Sequence, residues 1–193
     1  MRSFFLLFFL IFSIGSIHAE NLKPSKGIIA TSNPYASKAA YEVIKNGGNA
    51  IDASIAVQLV LTLTEPQATG IGGGAFMLYW DAKKSKLFSI DGREKAPSLA
   101  SEDLFLNKDG KNIKFYPDAV VGAKSVGVPG IIRLLEETHK KFGKLEWSEL
   151  FTYAIELSEN GFSISPALHN TLGYLNYLKT VEPAASLYYK KNI

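Results

Sequence analysis

The chain has 193 residues, no cysteine, and a formal net charge of +3 from 21 Lys and Arg against 18 Asp and Glu. That length suits one domain. The missing cysteine excludes disulfide bracing, thiol nucleophiles and lipid attachment through sulfur, and the small, scattered charge excludes a nucleic-acid-binding stripe. Lys83, Lys84, Lys86, Lys140 and Lys141 alternate with acids or fall in turns, the pattern of a solvated surface.

Met1-Arg2 precedes an apolar run over residues 4–14 that only Ser13 interrupts, and Gly15-Ser16 and a small residue at Ala19 follow. This is the form of an export signal over residues 1–19. The run falls short of the ~20 residues that a spanning helix needs, so no stable membrane span is expected. An uncleaved anchor is the alternative. The mature part, residues 20–193, is expected to be periplasmic or secreted.

Residues 27–31, with β-branched Ile28, Ile29 and Thr31, are expected to form a buried strand. Asn33-Pro34 then predicts a capped helix with proline in its first turn, carrying an apolar stripe of Ala36, Ala39, Ala40, Val43 and Ile44. Gly47-Gly48 are expected to end it with positive φ. Asn49 is expected to cap a second helix from Ala50 to about Thr64, with Asp52 in its first turn. Apolar residues cover nearly every face of that segment, so it is expected at the centre of the core. Glu65-Pro66 stops it.

A glycine-rich turn with Gly70, Gly72, Gly73 and Gly74 leads into residues 75–81, an aromatic-rich strand. The polar stretch 82–86 turns the chain into a second strand over 87–91. The two form an antiparallel hairpin with Arg93 at its exit.

The remainder is expected to be mostly helical: a short helix capped by Ser101, a loop over 107–112, a helix opened by Pro129 and closed by Gly143, another from Trp147 to Gly161, and a third from Ser165-Pro166. Ser125 to Gly130 reads as a turn into the helix that follows. The last residues, 186–193, read as a strand or connector cut in mid-passage, so the chain is read as a fragment.

Gly70, Gly72 and Ala75 fit a G-x-G-x-x-A dinucleotide pattern, but that mechanism needs strand, turn, helix, and here the order is helix, turn, strand. Only His139 and His169 follow the signal, so no metal site and no cofactor are expected. His139 sits among Glu136, Glu137, Lys140 and Lys141, on what reads as a solvated helix face. A serine–histidine–acid triad stays open, although no G-x-S-x-G elbow is present. Arg93 is the strongest candidate: a rigid fork of N–H donors at a strand end suits a substrate carboxylate. A salt bridge to Asp91, Glu94 or a distant acid is the plainer reading.

Taken in order, Gly47-Gly48-Asn49-Ala50-Ile51-Asp52-Ala53, then Pro66-Gln67 with Gly70 and Gly72-Gly73-Gly74, then Asp91-Gly92-Arg93-Glu94-Lys95-Ala96-Pro97 resemble the amino-terminal part of the large subunit of the gamma-glutamyltransferases. The similarity runs from about Gly27 to about Leu172. It implies an α+β fold, the four-layer αββα sandwich of N-terminal-nucleophile hydrolases, only partly represented here. It further implies a precursor that cuts itself into two subunits, the small one beginning with a nucleophilic threonine whose own amino group serves as base. Glutathione and other gamma-glutamyl compounds are the implied donors, and water or amino acid and peptide acceptors resolve the acyl-enzyme. Arg93 is the implied anchor of the donor's α-carboxylate, and Gly72, Gly73 and Gly74 lie near the site. No residue of this chain matches the catalytic threonine, so the chain by itself is expected to be inactive and to need the small subunit of the same precursor. A cephalosporin-acylase-like amide acylase and a non-catalytic exported fragment are the competing readings.

Overall fold

A computed structural model describes residues 27–189. The expected export signal and residues 190–193 lie outside the described residues. Helix α1 (Pro34–Lys45) begins where the extended Asn33 accepts a hydrogen bond from Tyr35 N at 2.9 Å. Its buried face is Ala36, Ala39, Ala40 and Val43, three of them small enough to let α1 lie close to its neighbour. Ile44, expected on that stripe, is instead 41% exposed. Gly47 takes the expected positive φ, +93°, but Gly48 does not. Gly48 is needed for space, since a Cβ there would sit 2.7 Å from Val43 Cγ1.

Helix α2 (Ala50–Thr64) is the core's central element, and every residue from 51 to 64 is buried or half-buried. Asn49 Oδ1 accepts from Ile51 N and Asp52 N, and Asp52 Oδ2 accepts from Asn49 N, which completes a capping box. Asp52 does more than cap. It is fully buried and also accepts from Lys144 N at 3.0 and 3.1 Å and from Leu145 N at 3.4 Å. Asn49 Nδ2 donates to Phe142 O at 2.6 Å. The first turn of α2 is thus bolted to the far end of α3 (Ile131–Phe142).

Strands β1 (Ala75–Asp81) and β2 (Lys86–Gly92) pair antiparallel in the register Ala75↔Gly92 through Asp81↔Lys86. Asp81 Oδ1 accepts from Lys83 N and Lys84 N, closing the turn. Alternation splits the hairpin into two faces. Ala75, Met77 and Tyr79 pack on the helical core. Phe76, Leu78 and Trp80 face outward, 65%, 71% and 57% exposed.

Beyond the hairpin the chain is less helical than expected. Residues 93–130 are mainly turns, with a five-residue helical turn over Phe115–Ala119 and a 3-10 turn over Ala123–Ser125. Gly110 and Gly122, at φ +72° and +103°, reverse the chain there. The helix expected from Ser101 is absent, because the Ser101 hydroxyl bonds the Asp103 carboxylate rather than a helical backbone N–H. The expected helix from Trp147 divides into a 3-10 turn (Trp147–Phe151) and α4 (Thr152–Asn160). Ser165 Oγ accepts from Leu168 N as the cap of α5 (Pro166–Tyr174).

Two strand expectations fail. Residues 27–31 form no strand, and Ile28 is 93% exposed. A strand needs a neighbour for its backbone groups, and among the described residues only β1 and β2 pair as strands. Residues 186–188 belong to a short helix, α6 (Ala184–Tyr188), not to a strand. Glu182, whose carboxylate accepts from Ser186 N and Oγ, holds it from the preceding turn.

Candidate functional site

Three backbone segments meet at the exit of β2. Gly73 O accepts from both Gly130 N (3.0 Å) and Ile131 N (3.2 Å), which ties the glycine turn to the start of α3. Lys95 N donates to Val128 O at 3.3 Å and Val128 N donates to Lys95 O at 2.8 Å, so the strand exit pairs with the segment before α3. Arg93 lies between these ties, with its backbone N–H on Asp91 Oδ1 at 2.9 Å.

Glycine is required where these segments cross. A Cβ on Gly74 would lie 2.7 Å from Gly92 O and 2.8 Å from Arg93 Cα. One on Gly127 would lie 2.9 Å from Glu94 Cβ, and one on Gly130 would collide with Gly92 O. A Gly73 Cβ would crowd Glu94 Oε1 at 3.2 Å, whereas Gly72 has open space around it. The glycine triplet therefore divides by role. Gly74 is sterically forced, Gly73 is tight, and Gly72 is not constrained by contact.

The Arg93 side chain is exposed and borders two adjoining clefts of about 270 and 330 Å³. Among the described residues its guanidinium makes no ion pair, so the plainer reading, a salt bridge to Asp91 or Glu94, is not what the structure has. Glu94 instead lies against Gly73 and Gly74. Lys95, which sequence reasoning alone misses, borders both clefts beside Arg93. Its one signal in the sequence is the spacing of two cations around Glu94.

The other candidates fall away from this point. His139 is not on a solvated face. Its side chain is 16% exposed, its ring lies 5.3 Å from that of Trp147, and its Nε2 is 2.8 Å from Leu145 O. His169 is exposed on α5. No group of three or more His, Cys, Asp or Glu among the described residues is placed to hold a metal ion. No helix among them is long and apolar enough to cross a membrane.

Glu65, just past α2, is a buried carboxylate whose only mark in the sequence is that of a helix stop. It accepts from Asn33 Nδ2 at 2.7 Å, Gln67 Nε2 at 2.6 Å and Ser165 Oγ at 3.1 Å. Burial pushes its carboxyl up, but these three donors together hold it below the ordinary glutamate value of 4.5. Glu65 O also accepts from Ala68 N and Thr69 N, so the same residue shapes the start of the glycine turn.

A model of the gamma-glutamyltranspeptidase family matches residues 36–192. The glutathione hydrolase proenzyme of Bacillus subtilis strain 168 is 43% identical over 164 residues, which is 78% of this chain and 28% of that protein. The crystal structure of Helicobacter pylori gamma-glutamyltranspeptidase superimposes with a TM-score of 0.79 at 34% identity, over 86% of this chain and 47% of that one. Cephalosporin acylase from Bacillus halodurans superimposes with a TM-score of 0.63 at 33% identity, over 85% of this chain and 28% of the other. The fold is accordingly α+β of the N-terminal-nucleophile hydrolase kind, of which the described residues supply helices and one hairpin. The chain spans under a third of the length of the curated relative, and the match over residues 36–192 places it in the gamma-glutamyltranspeptidase family.

Proposed function

We propose that this chain is the amino-terminal part of an exported gamma-glutamyltransferase and glutathione hydrolase, and that Arg93 anchors the donor's α-carboxylate. The observation that carries the reading is a guanidinium with no ion pair among the described residues, at a strand exit whose backbone three segments fix. A carboxylate received there by parallel N–H donors is held in position as well as in charge. In the reaction the family implies, a threonine hydroxyl at the head of the small subunit attacks the donor's γ-carbonyl carbon. The amide C–N bond breaks, the leaving amine takes the proton, and water or an acceptor amine then cleaves the ester. Donors to the developing oxyanion would come from the same missing part. This chain supplies the donor's anchor and its supporting turns, and it is inactive without its small-subunit partner.

The likeness to cephalosporin acylase favours a second reading, an amide acylase acting on a different acyl group. Full-length protein assayed with a gamma-glutamyl anilide separates the two. Arg93→Lys keeps the charge and loses the fork, so KM for the anilide should rise about 10- to 100-fold, the size of a lost charge-assisted hydrogen-bond pair. An unchanged KM removes Arg93 from the donor site. Turnover of acyl amides with none of the anilide gives the second reading.

A further inference from the structure

We propose that Lys95 is a specificity-determining residue of the same site. Beside Arg93, it receives a second carboxylate of the donor, so that the preferred substrates are gamma-glutamyl peptides with a free carboxylate on the leaving side. This rests on the reading of Arg93 as the α-carboxylate anchor.

The charges around the two clefts support the assignment. In the first cleft Arg133 is already held by Glu136 at 3.2 Å and Glu137 at 2.9 Å, and Asp91 accepts from the Arg93 backbone. Glu94, between the two cations in sequence, borders the second cleft with them, but its carboxylate lies against Gly73 and Gly74 and forms no ion pair with either cation among the described residues. Arg93 and Lys95 are left bordering both clefts, and neither has an ion pair among the described residues. Lys124 borders only the second cleft and also has no such pair. Lys95 differs from it in having a fixed backbone, paired in both directions with Val128. A donor with one carboxylate needs one of these cations, and a donor with two carboxylates is matched by two.

The experiment compares glutathione with its glycine ethyl ester in the full-length protein. The two donors differ only in the second carboxylate. Lys95→Gln should lower kcat/KM for glutathione about three- to fivefold through KM, the size of one partly exposed ion pair, and leave the ester unchanged. Lys95→Arg should restore the preference, Lys124→Gln should leave it intact, and Arg93→Lys should reduce both donors alike. An equal loss on both donors in Lys95→Gln, or no loss on either, overturns the inference while the proposed function stands. A selective loss in Lys124→Gln moves the second carboxylate away from Lys95 and overturns it too. Failure of the unsubstituted protein to turn over either donor overturns the proposed function, and this inference falls with it.

Discussion

Asp52 has no solvent contact, yet three backbone N–H groups, of Asn49, Lys144 and Leu145, converge on its carboxylate from two distant parts of the chain. Removing it strands the donors of Asn49 and Lys144 and leaves a hole at the start of the central helix. Asp52→Ala in the full-length protein should cost about 2–4 kcal/mol, read as a shift of the urea midpoint at unchanged slope. Gly74→Ala tests the crossing beneath Arg93. Its methyl group meets the backbone of Gly92 and Arg93 as well as the movable tip of Glu94, so β2's exit must shift. The expected result is a loss of about 1–3 kcal/mol together with a raised donor KM. Gly72→Ala, with nothing near it, should change neither. In the sequence the three glycines form one motif, because only the path of a distant segment distinguishes a glycine that is crossed from one that is free.

At the level of elements, Glu65 joins the caps of α1 and α5 to the end of α2. Its folded pKa lies below its ordinary 4.5, so the stability it contributes is present above pH 4.5 and is lost as pH falls through the lower folded value. Glu65→Gln should therefore flatten the acid limb of a stability–pH profile below 4.5, and an unaltered limb would refute that role. Both helices that meet at Asn49 and the hairpin from 75 to 92 are legible in the sequence. Their signals are local: Asn-Pro and Asn-x-x-Asp caps, a segment apolar on all faces, and an aromatic-rich run in 75–81. The failures have non-local causes. Residues 27–31 carry strand composition but have no strand beside them among the described residues, and His139 looks solvated among charged neighbours until Trp147 and Leu145 fold over it. Arg93 is legible as a candidate by its motif. Lys95 is not, because only the fold shows that it borders both of the clefts beside Arg93.

Across the whole molecule, the outer face of the hairpin stands open. Phe76, Leu78, Trp80 and Leu87 form an apolar surface that a soluble domain does not ordinarily leave uncovered. Residues 20–193 produced alone should self-associate and bind an apolar dye, and, on the proposed function, co-production with the small-subunit partner should abolish both. Sedimentation showing a clean monomer of the isolated chain would count against a missing sheet above this face. The bolt from Asp52 to Lys144 has a consequence in time. Its partners are 92 residues apart, so at ~5–20 residues per second roughly 5–20 s separate their synthesis. The pair α1–α2 is assembled from neighbours in sequence, whereas the start of α2 waits for a loop of that length to close. Until Lys144 and Leu145 have been made, the Asp52 carboxylate has only Asn49 N of its three backbone donors.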